Sequence, residues 1–291
     1  MKAGTRIAVV VPVFNRFQFL PRLLASLSHS QIDIHFILVD HGTKDLTGEN
    51  LPAGKFEILK RSSDLWFTGA ANEGLRYLRA DSSFTHILLM NDDVIIEDPL
   101  WWDKMLKHSS EKSLVSCMAL SAERKAHYTG LKLDPFRFKY THFDFGKLQS
   151  EISSGITMCD VLPTRGLLFR QTQLNAIGLL AEVELPHYGS DYEWTARAKA
   201  LGFDLLMTKH TYLITEMKDS TKEVSGRKKY AHHEAKKFWK DLFNPHLQGN
   251  MITTSNYAKL VFHPPYRQAF VTFRFLKKTL GFVKTNYWKN G

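Results

Sequence analysis

Cys117 and Cys159 are the only cysteines in 291 residues. So small a number excludes a disulfide-stapled scaffold and fits a reducing compartment. No CxxC pair and no Cys/His cluster occurs, so a structural zinc site has no ligand set. No uncharged apolar run approaches the roughly 18–20 residues that a bilayer span requires. Residues 1–6 lead straight into a strand-like segment without a secretory apolar region, and a cytoplasmic location is expected. Internal repeats and low-complexity tracts are missing too. Acidic residues are scarce in one place only: residues 218–291 hold 4 Asp/Glu against 15 Lys/Arg, while residues 1–217 hold 25 against 24. The net charge of +10 therefore belongs to the last quarter. A uniformly basic nucleic-acid binder would not be built this way; two parts with different tasks would.

What remains is an ordinary globular composition, 44% hydrophobic and 23% charged, in a chain long enough for one large domain or two packed ones. Residues 7–14 (IAVVVPVF), 34–40 (IHFILVD), 56–60 and 85–90 (THILLM) read as strands, the first two as buried parallel ones. Between and after them, Leu20, Leu23, Leu24 and Leu27 recur at helical spacing, and residues 69–80 and 99–108 read as helices. This alternation predicts an α/β fold with an open, mostly parallel sheet and helices on both faces. Residues 114–160 lack clear periodicity and are expected to form irregular strands and loops, one wall of a cleft. Residues 161–170 and 203–207 are expected as strands. Residues 190–201 are expected as a helix with Asp191 and Glu193 in its first turn and Gly202 as its stop.

Functional groups in such sheets gather at the carboxyl ends of strands. Asn15, Asp40 and the run Asn91-Asp92-Asp93 all lie at such ends. Adjacent acids after an apolar strand repel unless a cation neutralises them, and Mg²⁺ or Mn²⁺ carrying phosphate oxygens is the natural partner. Each of these features alone is equally well a solvated turn or a helix cap. Their order carries more. A strand ending PVFNR comes first, then VD-x-G-T-x-D, LWFTGAANEG, LLMNDDV and a late SDYEW helix. Together these segments resemble the family 2 glycosyltransferases, which have the GT-A fold, and most nearly the bacterial rhamnosyltransferase-type enzymes of surface-polysaccharide assembly. The resemblance covers residues 5–217.

The resemblance implies a role for each matching position. Pro12, Phe14 (in place of the usual Tyr) and Asn15 match a loop that borders the nucleotide. Asp40 matches the acid that reads the base, as uracil or thymine. Asp64 and Asn72 match polar positions of the segment over the nucleotide, where Trp66 replaces a usual Gly. Asp92 and Asp93 match the acidic metal motif, with Asp93 as the direct metal ligand. Asp191 matches the catalytic base. Arg165, where small residues are common, and Gly166 are candidate diphosphate or acceptor contacts, and Glu193 is expected to orient its loop or bind acceptor. His210 and Thr215-Glu216 flank the place where many relatives carry a metal-binding His, and neither is assigned.

The implied activity is a metal-dependent inverting transfer of one sugar from a UDP- or dTDP-linked donor to a glycan or polyprenyl-linked acceptor. The implied organisation is a nucleotide-sugar half (1–110), an acceptor half with the base (111–217) and a basic tail (218–291). A sugar nucleotidyltransferase is disfavoured because the first loop is not a Gly-rich phosphate cradle. A processive synthase is disfavoured by the lack of spans and of a Q-x-x-R-W motif. In the tail, Phe273, Leu276, Leu280 and Val283 fall on one helical face with Arg267, Arg274, Lys277, Lys278 and Lys284 to one side. Three readings stand for it: docking to an anionic membrane surface on the inner face of the cell membrane, packing on the catalytic part, or a dimer contact. The competing reading of the whole chain is a basic nucleic-acid- or membrane-binding protein with an inactive sugar-nucleotide domain. It would use Phe238, Trp239, Phe243 and Tyr257 for stacking. It leaves the acidic cluster without a role, so no nucleic-acid partner is expected.

Overall fold

The computed structural model describes residues 4–28, 31–47, 51–81, 83–215, 235–245 and 247–287. In chain order the strands and helices begin with β1 (Arg6–Val13), α1 (Leu20–Leu27), β2 (Asp33–Asp40), β3 (Lys55–Lys60), α2 (Trp66–Arg79), β4 (His86–Leu89), β5 (Val94–Ile95) and α3 (Trp101–Leu106). They continue with β6 (Ser113–Leu120), β7 (Ala126–Tyr128), β8 (Leu131–Asp134), β9 (Lys139–His142), β10 (Ile156–Met158), β11 (Leu167–Arg170) and α4 (Gln171–Ile177). Last come α5 (Ser190–Ala200), β12 (Asp204–Thr215), α6 (Ala235–Leu242), α7 (Met251–Val261) and α8 (Tyr266–Tyr287).

One sheet has the order β10-β12-β6-β11-β4-β1-β2-β3, with β5 added to β12 and β7 to β6. Strands β3, β2, β1 and β4 are mutually parallel. β11 then runs antiparallel to both β4 and β6, and β12 is parallel to β6. The expected open α/β sheet is thus present, with a reversed strand at its middle. One apolar core extends from β1 and β2 through β4 to β6, β11 and β12. Residues 1–110 and 111–217 therefore share a single sheet and core instead of forming separate packing units.

Local sequence explains the elements. All of β1 after Arg6 is buried, as expected of a strand covered on both faces. Helix α1 buries its four leucines and tolerates Pro21 because it lies in the first turn. Helix α2 approaches the sheet through small residues, Gly69, Ala70, Ala71 and Gly74. Helices α2, α4 and α5 touch in succession, while α3 is tied to α1 by Trp102 Nε1, which donates to the Leu27 carbonyl at 3.2 Å.

Three expectations are corrected. Residues 113–120 are not irregular but form β6, buried along its whole length. Its serines hide the strand from a reading of periodicity: Ser113 Oγ donates to the His108 carbonyl at 2.7 Å, so the hydroxyl is buried with a partner. In residues 161–170 only β11 is strand, because Leu162 is tied by its N–H and carbonyl to Thr195 Oγ1 (3.0 and 3.1 Å). The last strand does not stop at 207 but continues to Thr215 past a bulge between Thr208 and Tyr212.

A Cβ added at Gly74 would come within 2.4 Å of Val10 Cγ1, whereas one added at Gly281 on α8 would meet no atom within 4 Å. Gly74→Ala is therefore expected to lower stability by about 1–3 kcal/mol. Gly281→Ala should raise it by up to about 1 kcal/mol through helix propensity. Denaturant unfolding of both variants checks the pair.

Candidate active site

Three strand ends are joined at the carboxyl edge of the sheet. Asn15, just after β1, has a left-handed backbone (φ 56°). Its Oδ1 accepts from the N–H groups of Thr43 and Lys44 at 2.9 and 3.1 Å, and its Nδ2 donates to Thr43 Oγ1 at 3.0 Å. The loops after β1 and β2 are thereby stapled together. They meet so closely that a Cβ at Gly42 would lie 2.5 Å from Asn15 Oδ1. Arg16 makes the other connection. Its Nε donates to Asp92 Oδ2 at 3.1 Å and its Nη2 to Asp92 Oδ1. The same Nη2 lies 3.2 Å from Asp93 Oδ2.

Asp92 and Asp93 are both buried, 6% and 3% exposed. Burial pushes Asp92 up to about 6, against the pull of the Arg16 guanidinium. Asp93 Oδ1 is buried and accepts no hydrogen bond. Two hard carboxylates, one with an unsatisfied buried oxygen, suit a divalent cation such as Mg²⁺ or Mn²⁺. Among the described residues no third His, Cys, Asp or Glu joins them. His210 stacks on His108, with centroids 6.0 Å apart, instead of facing the pair. Thr215 is in register with Val94, the residue after Asp93. Glu216 lies outside the described residues.

The second group centres on Asp191, in the first turn of α5. Its Oδ1 accepts from the Tyr192 N–H at 2.9 Å. Burial pushes its carboxyl up to about 6, opposed by that backbone N–H and by the charge of Arg165. The phenols of Tyr128, Tyr192 and Tyr257 all feel its charge. Tyr140 of β9 packs on Tyr192 and bonds through its hydroxyl to that of Tyr257. The β8–β9 hairpin thus forms a wall beside Asp191, within the segment expected to form one. Gly166 anchors the opposite side. It has φ +74° and donates its N–H to the Leu89 carbonyl at 3.0 Å, and a Cβ there would lie 2.8 Å from Leu213. Only glycine fits. That anchor holds Arg165 between the end of β4 and Asp191.

A row of rings links the two groups. Phe14, 44% exposed, lies 5.2 Å from His41. His41 feels the charge of His187, which lies 5.3 Å from Trp66 and 4.2 Å from Tyr188. Burial lowers the pKa of His41, against the pull of the Asp40 carboxylate. Sequence reading missed Arg16, His41 and His187. Arg16 and His41 each directly follow a residue that was singled out, and that adjacency was the available signal.

Other expected site residues turn inward. Asp40 is fully buried and accepts from the N–H groups of Gly42 and Leu46 and from Lys60 Nζ at 2.9–3.0 Å, so it shapes its own loop. Asn72 is fully buried too, its Oδ1 and Nδ2 bonded to the N–H and carbonyl of Leu180, both at 2.9 Å. It ties α2 to the loop before α5. Glu193 is held by Arg197 Nε and Nη2 at 2.8 and 2.9 Å, while Arg197 also caps the Ile177 and Leu179 carbonyls. Through Arg197 it ties α5 to the turn at Ile177 and Leu179. Pro12 is buried within β1 opposite Val39. Asp64 is exposed in a short turn, its N–H bonded to Ser62 Oγ at 3.3 Å.

The family model described as glycosyl transferase family 2 matches residues 8–159, more than half of the chain. The chain belongs to that family. Comparison with curated protein sequences gives no match. In fold the chain is similar to GalNAc-T7 crystallised with UDP, GalNAc and Mn²⁺, at TM-score 0.64 and 10% identity over 93% of this chain and 50% of that one. It is similar to the mannosyltransferase PcManGT from Pyrobaculum calidifontis in complex with GDP-Man and Mn²⁺, at 0.52 and 12% over 95% and 87%. It is also similar to S. aureus TarS, at 0.50 and 14% over 88% and 43%. The chain thus spans about half the length of GalNAc-T7 and less of TarS. Family and fold are those of glycosyltransferases, and the GT-A expectation holds.

The raised Asp191 value has a consequence for stability. A carboxyl held near 6 in the fold, against about 3.9 unfolded, stabilises fully below pH ~4 and loses that contribution as pH rises through 6. Asp191→Asn is therefore expected to raise stability at pH 7 by ~1–2 kcal/mol, with the gain vanishing near pH 4. Thermal melts at both pH values check the sign.

Proposed function

We propose that the chain is a metal-dependent inverting glycosyltransferase. It moves one sugar from a UDP- or dTDP-linked donor to a glycan or polyprenyl-linked acceptor in surface-polysaccharide synthesis, working in the cytoplasm. The observation that carries this reading is the pairing of two unlike carboxylate sites on one edge. One is Asp92/Asp93, with an unsatisfied buried oxygen. The other is Asp191, a lone carboxyl pushed up to about 6.

Each residue then has a task. Phe14 and His41 offer a ring surface to the nucleotide base, supported from beneath by the Asp40 loop. Asp93, with Asp92 beside it, would hold the divalent ion. When bound, the ion supplies positive charge to the diphosphate leaving group. Arg16 shares Asp93 Oδ2, so holding the ion competes with holding the guanidinium. Arg165 stands between the diphosphate side and the base and adds a second cation. Asp191 accepts the proton of the acceptor hydroxyl as that oxygen bonds to the anomeric carbon. The bond from that carbon to the diphosphate oxygen breaks, and its electrons leave with the nucleoside diphosphate. A carboxylate near 6 is basic enough to help and still ionised at neutral pH. The tyrosines around it exclude water that would otherwise compete with the acceptor.

Two measurements test this. Melts with UDP-, dTDP- and GDP-sugars, each with Mn²⁺ or EDTA, should show stabilisation by one uridine or thymidine class. That stabilisation should be of the order of 2–3 kcal/mol at about 100 Kd and be lost with EDTA or in Asp93→Ala. Indifference to every nucleotide in the presence of Mn²⁺ would sink the donor assignment. With an active donor–acceptor pair, kcat/KM should fall below pH ~6, where Asp191 is protonated. Asp191→Asn should lower kcat at least ~10²-fold while donor-induced stabilisation persists.

A further inference from the structure

The tail is neither wholly packed nor wholly free. Helix α7 packs on the catalytic part: Tyr257 and Ala258 share a cluster with Leu185, Phe262 and Phe270, and Tyr192 of α5 lies against it. Helix α8 has two sides. Its inner side buries Phe270 and stacks Phe282 on Phe238 of α6, centroids 4.2 Å apart. Its outer side leaves Leu276, Leu280 and Val283 at 50, 64 and 41% exposed, and Phe273, 37% exposed, begins the same row with its ring 5.3 Å from that of Phe138. Their spacing puts them on one stripe.

The charges around that stripe differ from the sequence expectation. Arg267 turns back and donates to the carbonyls of Phe262 and Lys259 at 3.2 and 3.1 Å. Burial lowers the pKa of Arg274 and Lys278, which face the interior side. Lys277 and Lys284 alone of the five cations remain exposed beside the stripe. No Asp or Glu occurs anywhere in α8. On α6 exposed Trp239, and just past its end exposed Phe243, stand near exposed Lys236 and Lys240.

We propose that the outer stripe of α8 docks on an anionic lipid surface, with the helix lying in the headgroup plane and Lys277 and Lys284 against phosphates. An apolar stripe edged by lysine with no acid in the helix is complementary to such a surface. A second copy of the chain is the poorer occupant. Pairing two identical stripes would set the same lysines against each other with no carboxylate of α8 to answer them. Spanning is excluded for α8, since no helix among the described residues is long and apolar enough to cross a membrane. The inference concerns lipid alone and stands or falls apart from the transferase reading.

The test uses the full chain without sugar nucleotide, sedimented with vesicles of phosphatidylcholine alone or with about one third phosphatidylglycerol, at low and high salt. Binding is expected on the anionic vesicles. Leu276→Ser/Leu280→Ser should weaken it at least about tenfold. Lys277→Gln/Lys284→Gln should weaken it by a similar factor and flatten its salt dependence. Both variants should melt like the parent, since neither pair is buried. No binding to anionic vesicles would overturn the proposal. Undiminished binding by the serine variant would do so as well, because charge elsewhere would then suffice. So would a parent dimer in sedimentation velocity that the serine variant abolishes.

Discussion

Two adjacent carboxylates are buried at the end of a strand only where positive charge stands between them, and here Arg16 supplies it. The guanidinium spans Asp92 and Asp93 from the loop after β1, so the ends of β1 and β4 close on one another through charge. Asn15, the residue before it, closes the ends of β1 and β2 through its amide. One dipeptide therefore fixes three strand ends. The edge that would receive a nucleotide is built before any ligand arrives. Asp93 Oδ1 and His41 Nδ1 stay buried there without a hydrogen bond.

The other half of the site is held by different means. Asp191 relies on its surroundings: burial among tyrosines, one backbone N–H and the distant pull of Arg165. Helix α5 is itself held in place by residues pointing away from the cleft. Thr195 clasps Leu162, Glu193 and Arg197 clasp the turn at Ile177–Leu179, and Thr68 Oγ1 reaches both the Leu185 carbonyl and Ser190 Oγ. Two acid sites on one fold are thus both desolvated, Asp92 and Asp191 each pushed up to about 6, but only the first is paired directly with a cation. Such a difference suits two distinct tasks in a single reaction.

Much of this was legible in the sequence. The strands 7–14, 34–40 and 85–90 and the leucine helix declare themselves because burial on both faces demands unbroken apolar runs. The strand-end acids declare themselves because charge after such a run needs a reason. The rest was not legible, for physical reasons. β6 carries serines that are buried, Ser113 bonded to the carbonyl of nearby His108, so its polarity misleads. Asp40, Asn72 and Glu193 sit at the right places in the right motifs, but residue type does not reveal whether a side chain faces outward or ties loops together. The bonds to Leu46, Leu180 and Arg197 show what these side chains hold within the fold. The inward turn of Lys278 depends likewise on the loop after α6, where Gly249 lies beside its ammonium group.

Tyr257 belongs to the C-terminal helices, yet it stands over Gly189 and feels the charge of Asp191. The surroundings of Asp191 are therefore partly the work of a segment outside the sheet. A chimera that grafts a relative's C-terminal helices onto this sheet would exchange more than a tail. It would change what packs beside Asp191, leaving the residues of the sheet's edge in place.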